Sequence, residues 1–396
     1  MEKNVFEPAQ RLQHVQEYYF SRKLKEVARL NAEGCDIISL AIGSPDMPPS
    51  ANTIDVLCRE ARRPEAHGYQ PTVGTPELRQ AMAAFYARWY GVELDPATEI
   101  QPLIGSKEGI LHVTLALVNP GERVLVPNPG YPTYTSLSQL LGAEVVNYDL
   151  TEANGWQPDF DQLEELVSNP ATAPKLLWCN YPHMPTGARA QRRTYERLVD
   201  FARRHGIVVV NDNPYSFILN EGERLSILQV PGAKDCCIEF NSMSKSFNMP
   251  GWRVGMLCTN AEFIRWILKV KSNIDSGTFR PMQLAAAEAL TGSTDEWHMQ
   301  ANIATYATRR AIAEDIMREL GCTFDPTQTG MFLWGRIPDD IDNVETLTER
   351  ILHEARVFVT PGFIFGSNGN RYIRISLCAK DDKMQQALQR IREMKD

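Results

Sequence analysis

The sequence predicts an α/β protein in which a large domain with a mostly parallel sheet between helices is joined to a smaller α+β domain. From about Ala51 to Leu290, short apolar runs alternate with amphipathic helical patterns, as βα units do. Beyond about Trp297 the order changes to one long helical pattern followed by short strands and a closing helix. At 396 residues the chain exceeds what one hydrophobic core usually supports, and no low-complexity linker interrupts it.

Taken in order, residues 1–50 form an arm that joins the smaller domain and include a helix from Val15 to Leu30. Residues 51–290 are the large domain. There Pro76 to Arg88 and Arg192 to Arg204 carry the helical period, and Val124-Leu125-Val126, Leu176 to Cys179, Val208 to Val210, Cys237 to Phe240 and Gly255 to Cys258 read as buried strands. Residues 291–396 are the smaller domain. It comprises a helix from Trp297 to Leu320, a strand at Met331 to Gly335, a helix from Leu347 to Ala355, strands at Val357 to Val359 and around Arg374, and a last helix from Lys383 to Met394.

Composition narrows the function. A net charge of −8 argues against a polyanion-binding surface, so nucleic acid is not an expected partner. The first residues contain no apolar leader and no later run is long enough to span a bilayer, which predicts no membrane association. The eight cysteines lack paired-ligand spacing and fit reduced thiols in a cytoplasm. The seven histidines form no cluster with acidic residues along the chain, so no metal is expected.

Chemistry concentrates in Ser242-Met243-Ser244-Lys245-Ser246 and the following Pro250-Gly251-Trp252-Arg253-Val254-Gly255. A lysine amine condenses with an aldehyde to a Schiff base, and a guanidinium offers a planar fork to a phosphate dianion. Ser242 and Ser244 add hydroxyl donors, and glycines allow the backbone to approach a ligand closely. Asp212 follows the run Ile207 to Val210 at a strand's C-terminal end, where open α/β sheets bind ligands, and it precedes Asn213-Pro214-Tyr215. Upstream, Gly105-Ser106-Lys107 opens a helical pattern and so supplies an anion site at a helix N-terminus. Arg374 shares one strand face with Ser376, and its fork suits a carboxylate. Arg371 beside it reads as solvent-exposed.

With these motifs in this order, the chain resembles the fold-type-I pyridoxal-phosphate enzymes, specifically the class I/II aminotransferases, from Gly43 to Ser376. The resemblance implies a seven-stranded, mostly parallel sheet and pyridoxal 5'-phosphate as cofactor. Lys245 would be the Schiff-base lysine and general base, Asp212 the partner of the pyridine nitrogen, Tyr215 the donor to the ring hydroxyl and Arg253 the phosphate arginine. Gly105, Ser106, Lys107, Ser242 and Ser244 would complete the phosphate site, and Tyr131 would stack on the ring. Arg374 and the Gly43 backbone would take the substrate α-carboxylate, with Tyr19 lining the pocket. Tyr69 would reach the phosphate of a neighbouring subunit, which makes the working unit a homodimer. The implied reaction moves an amino group from an L-amino acid to a 2-oxo acid, 2-oxoglutarate being the expected acceptor, by a ping-pong course.

One position departs from the family. Where its members carry Asn-Pro-Thr-Gly, this chain has Met184-Pro185-Thr186-Gly187, which removes a donor to the ring hydroxyl and implies an altered imine pKa. The donor side chain stays open. Arg280 would pair with a distal carboxylate in a neighbouring site or lie on the surface, while Trp334 and Phe279 would favour an apolar or aromatic side chain. Two rival readings share the lysine, namely a pyridoxal-phosphate carbon–sulfur lyase and a non-catalytic cofactor-binding regulator. The intact Gly-Trp-Arg-Val-Gly weighs against the lyase. The roughly forty residues before Gly43 are too few for a regulator's DNA-binding module.

Overall fold

The structure is a computed structural model that describes residues 6–14, 19–292 and 294–394. Its centre is a seven-stranded sheet of β1 (Ile100–Leu103), β2 (Arg123–Asn128), β3 (Glu144–Asp149), β4 (Leu176–Cys179), β5 (Val208–Asp212), β6 (Cys237–Ser242) and β7 (Gly255–Cys258). The spatial order is β1-β7-β6-β5-β4-β2-β3, with β7 alone antiparallel to its two neighbours. All of β4 and nearly all of β5 are buried, which explains why these runs carry no polar alternation.

Each face of the sheet is covered by its own core. One is built on Phe85, Tyr86, Leu177, Phe201 and Val209, the other on Ile110, Val126, Trp178, Val210 and Phe240. The helices that supply these cores have readable ends. Pro76–Tyr90 starts on Thr75, whose side chain accepts from the Leu78 amide, and stops at Gly91, which adopts φ +63. The carboxyl ends of β1, β2, β4, β5 and β6 lie along one edge of the sheet, and the loops leaving that edge carry the chemistry.

A second body packs over this edge. Its three-stranded antiparallel sheet orders Thr360–Pro361, Tyr372–Ser376 and Phe332–Arg336, backed by the helices Thr294–Glu319 and Asp381–Arg392. Its core includes Trp334, Ile351, Ile373 and Leu388, and it draws in Met184 and Tyr215 from the large sheet's loops. The segment Leu40 to Gly43 is tied to this sheet, since the Ser376 amide donates to Leu40 O at 2.7 Å and the Ser376 hydroxyl to Ile42 O at 2.8 Å. The first long helix runs from Tyr19 to Ala32; the start expected at Val15 lies outside the described residues. No helix among the described residues is long and apolar enough to cross a membrane.

Candidate active site

A cleft of about 690 Å3 opens between the sheet edge and the second body. One end of it is an anion cradle. Gly105 caps the helix Ser106–Leu117 at φ +75, and a Cβ there would lie 2.0 Å from Nη2 of Arg253. A Cβ on Gly255 would lie 2.8 Å from the Ser106 amide nitrogen, so both glycines are required by close approach. The Ser106 and Lys107 amides at its start have no helical acceptor, and both residues line the cleft that Arg253 borders. Arg253 itself sits at φ +57 and donates to Pro250 O at 3.0 Å and Ser244 Oγ at 3.5 Å. Ser242 caps the short turn Met243–Ser246 by accepting from the Ser244 amide at 3.1 Å. Ser106, Lys107, Ser242, Ser244 and Arg253 all line the cleft, with Lys107 exposed at its rim. Hydroxyls, a helix N-terminus and a guanidinium around one space suit a phosphate dianion.

Lys245 projects from that turn into the middle of the cleft, where its Nζ donates to Gly43 O at 2.5 Å. Burial, with Arg374 and Arg253 nearby, holds its pKa below the usual lysine value, which favours the neutral amine. Asp212, the last residue of β5, is buried opposite. Its Oδ2 accepts from the Tyr134 hydroxyl at 3.0 Å, while Oδ1 is buried without a protein partner. Burial raises this carboxyl to about 6, against the hydrogen bond from Tyr134 and the charge of Lys245, which lower it. A buried carboxylate oxygen with an open coordination side is suited to an N–H donor entering the cleft.

Arg374 closes the other end. It is 4% exposed, and its guanidinium carbon lies 3.9 Å from the Phe332 ring centroid and 4.6 Å from that of Phe365. Nη2 donates to Ala41 O at 2.8 Å and Nη1 to the Met184 thioether at 3.2 Å. Met184 therefore stands against the carboxylate arginine as well as in the cleft wall. Asn180, four residues earlier, accepts the Met184 amide at 2.8 Å and donates to the Asp212 carbonyl, so one asparagine holds both loops.

Tyr131 and Tyr215 line the same cleft, Tyr131 edge-on to Tyr134 at 5.5 Å and Tyr215 edge-on to Phe332 at 6.0 Å. Burial raises the Tyr215 hydroxyl well above the ordinary tyrosine value. Tyr19 departs from its expected place. It packs edge-on against Phe363 at 5.5 Å and borders a neighbouring cavity, while Phe20, Ser21 and Leu24 of its helix face the cleft. Trp334 is likewise outside the cleft, stacked on Tyr372 at 5.0 Å, and Phe332, two residues nearer, takes the wall position. Arg371 is half-buried, not solvent-exposed, because its guanidinium donates to the carbonyls of Pro338 and Ile341.

Tyr69 is 95% exposed and, like Phe279 and Arg280, lies outside the cleft of its own chain. Arg280 stands 3.7 Å from Glu77 and 4.0 Å from Glu60. Two groups among the described residues have metal-ligand spacing, Glu26/Glu349/His353 and Glu108/His112/Asp275. In each a lysine ammonium already occupies the carboxylates, Lys23 on Glu26 and Glu349 and Lys271 on Glu108 and Asp275. Asn180, Tyr134, Phe20 and Phe365 are site residues that sequence reasoning passed over. Asn180 opens the stretch that ends in Met184-Pro185-Thr186-Gly187, and Tyr134 ends the one that holds Tyr131.

Comparison with known proteins places the chain in a family. The family model for aminotransferase class I and II matches residues 35–391. An LL-diaminopimelate aminotransferase of Moorella thermoacetica is 41% identical over 387 residues, covering 98% of each chain. Among solved structures, substrate-bound BacF of Bacillus subtilis superposes with a TM-score of 0.92 at 32% identity, covering 98% of both chains. A probable N-succinyldiaminopimelate aminotransferase of Thermus thermophilus gives 0.86 at 31% identity, covering 94% of this chain and 99% of its own. The chain belongs to the class I and II aminotransferases, pyridoxal-phosphate-dependent enzymes of the α/β fold described above.

Proposed function

We propose that this aminotransferase holds pyridoxal 5'-phosphate between Lys245, Asp212 and the Arg253 cradle and takes the donor's α-carboxylate on Arg374. The observation that carries the reading is that one cleft brings together a lysine amine whose pKa burial lowers, a buried carboxylate with an unpartnered oxygen, and a buried arginine. These residues fit the cofactor. The cradle is kept open by two glycines whose Cβ atoms would fill it, and Asp212 Oδ1 lacks a protein donor. When bound, the cofactor's protonated pyridine ring supplies an electron sink for the α-carbanion.

The chain's own residues do the rest. Asp212 keeps a negative charge beside the ring nitrogen. Arg374, pinned between Phe332 and Phe365, orients the substrate so that its α-C–H faces Lys245 Nζ. Lys245 then takes and returns the proton, the role its depressed pKa favours. Phe20, Leu24, Phe332 and Phe365 wall the cleft with apolar surface and limit water.

2-Oxoglutarate is the proposed acceptor. The proposed donor is LL-diaminopimelate or an amino acid of similar length, supported by the name of the 41% identical relative. A second reading, an apolar or aromatic donor, is favoured by the aromatic wall. The working unit is proposed to be a homodimer in which Tyr69, exposed in one chain, reaches the partner's phosphate site, with Arg280 near the same entrance. Eight free cysteines fit a cytoplasmic setting. The test is to add single amino acids to the holoenzyme without any oxo acid and follow cofactor absorbance and the released oxo acid. Diaminopimelate should convert the cofactor, as should glutamate by reversal of the acceptor half-reaction; conversion by phenylalanine or leucine in place of diaminopimelate would establish the second reading, and no conversion by any donor would reject the site assignment.

Met184, which lines the cleft, is expected to change the cofactor's surroundings. An asparagine there would donate to the ring oxygen, and such a bond to a charged group is worth about 1.5–3 kcal/mol, or about one to two pKa units. The pH midpoint of the bound cofactor's absorbance is expected to move by about that amount in Met184→Asn. Identical midpoints in the two proteins would show that Met184 has no part in cofactor electronics.

A further inference from the structure

Behind the phosphate cradle, outside the cleft, four charged or titratable side chains meet in the interior. Glu108 is the third residue of the helix Ser106–Leu117, and its Oε2 accepts the backbone N–H of Ile104, the residue before the cradle's Gly105. Its Oε1 accepts from His112 Nε2 at 2.6 Å and from Lys271 Nζ at 2.5 Å. Lys271, at the end of the helix Ala261–Lys271, also donates to Asp275 Oδ2 at 2.8 Å. The loop around Asp275 is fixed as well: Thr72 Oγ1 donates to Asp275 O at 3.5 Å and the Gly277 amide to Gln70 O at 2.9 Å. His112 is fully buried and Lys271 nearly so.

The arrangement poses an electrostatic question. A glutamate at this helix position normally reaches back to the backbone N–H of the cap residue, as in a capping box. Here it reaches one residue further back, to Ile104, so its carboxylate fixes the turn before the cap and takes neither the Ser106 nor the Lys107 amide. Its charge nevertheless sits at the helix end that a phosphate would use, where two anions oppose each other. Lys271 is placed to cancel that opposition, because its buried ammonium bridges both carboxylates and is not among the cleft-lining residues. Burial would raise the Glu108 carboxyl, but its hydrogen bonds with His112, Asp275 and Lys271 hold it at about 2, while burial and Glu108 push the Asp275 carboxyl up, so Glu108 carries the negative charge of the pair.

We infer that Lys271 is a positioning and charge-screening residue for the cofactor phosphate, acting through Glu108 on the turn at Ile104 and Gly105. This rests on the reading of the cradle as the phosphate site. Replacing Lys271 by methionine exposes the phosphate to the unscreened charge of Glu108 and loosens the Glu108 contact that sets the turn.

The experiment measures affinity of the apoenzyme for pyridoxal 5'-phosphate and for pyridoxal, which lacks the phosphate, by cofactor absorbance. Lys271→Met is expected to weaken pyridoxal 5'-phosphate by at least about tenfold and leave pyridoxal within about twofold. Lys271→Arg, which keeps the charge, should restore most of the loss, and so should the neutral pair Glu108→Gln/Lys271→Met. If Lys271→Met does not accumulate, Lys271→Gln carries the same expectation. Equal weakening of both ligands would mark Lys271 as merely structural and overturn the inference, as would no weakening of either. Wild-type enzyme that binds the two ligands equally well would instead reject the cradle itself.

Discussion

Lys245→Ala is expected to abolish transamination, lowering kcat by at least about 10^4-fold, because the residue supplies both the amine that holds the cofactor and the group that moves the α-proton. The fold should survive the change. Lys245 projects into the cleft rather than into a core, its Nζ meets the Gly43 carbonyl, and burial with Arg374 and Arg253 disfavours its charged form. Removing a disfavoured charge leaves stability level or slightly higher, so the thermal midpoint of the apoenzyme should not fall. Single-turnover measurement of oxo acid released per site separates loss of the base from loss of product release. Normal turnover in this variant would assign the base to another residue and remove the proposed mechanism.

Asp212 and Arg374 were legible in the sequence as cleft-lining residues because each sits on a pattern the backbone enforces. Asp212 ends a run of buried β-branched residues, and a parallel sheet places such an end at the ligand edge. Arg374 alternates with Ile373 and Ile375, so its face follows from strand geometry. Tyr19 fails that test. It stands in the consecutive aromatics Tyr18-Tyr19-Phe20, and a helix of known phase is needed to say which of them faces the cleft. Trp334 fails for a related reason, since it shares a strand face with Phe332 and only the strand's position decides which reaches the cleft. Tyr134 and Asn180 depend on contacts with Asp212, 78 and 32 residues away in the chain, and Lys271 on one with Glu108, 163 residues away. No local period reports contacts of that kind.

The fold itself was legible for most of its length because its strands are short, apolar and separated by helices with plain caps. Leu176–Cys179 and Gly255–Cys258 were read with their observed limits. Where the limits of β5 and β6 moved, the cause was polar residues continuing the strand. Asn241 and Ser242 extend β6, and Asn211 and Asp212 extend β5, because the backbone pairs on to the ligand edge after the apolar run ends. Their side chains are buried and bonded within the fold, as Asn211 is to Glu239 and Tyr195.

Asp212→Asn should move activity and apoenzyme stability in opposite directions. In the cofactor-free protein the carboxyl is raised to about 6 from an ordinary value near 4, so the folded state disfavours its ionised form. The unfolded chain ionises first as pH rises, and native stability is therefore lost between about pH 4 and pH 6 and stays lost above that. Two pKa units correspond to about 3 kcal/mol. An asparagine of the same shape has no charge to bury and can keep the hydrogen bond from Tyr134, so the variant apoenzyme should be more stable than wild type at pH 7 and indistinguishable from it near pH 4. Catalysis should go the other way. Without a carboxylate the cofactor's ring nitrogen loses the partner that keeps it protonated, and kcat should fall by about 10^2-fold or more while the enzyme still binds the cofactor phosphate. Denaturant unfolding of both apoenzymes at several pH values, set beside kcat of the holoenzymes, checks both halves. A variant that is less stable at pH 7 would mean that Asp212 holds the fold together as an anion, and one with unimpaired kcat would mean that its buried charge is not what the cofactor uses.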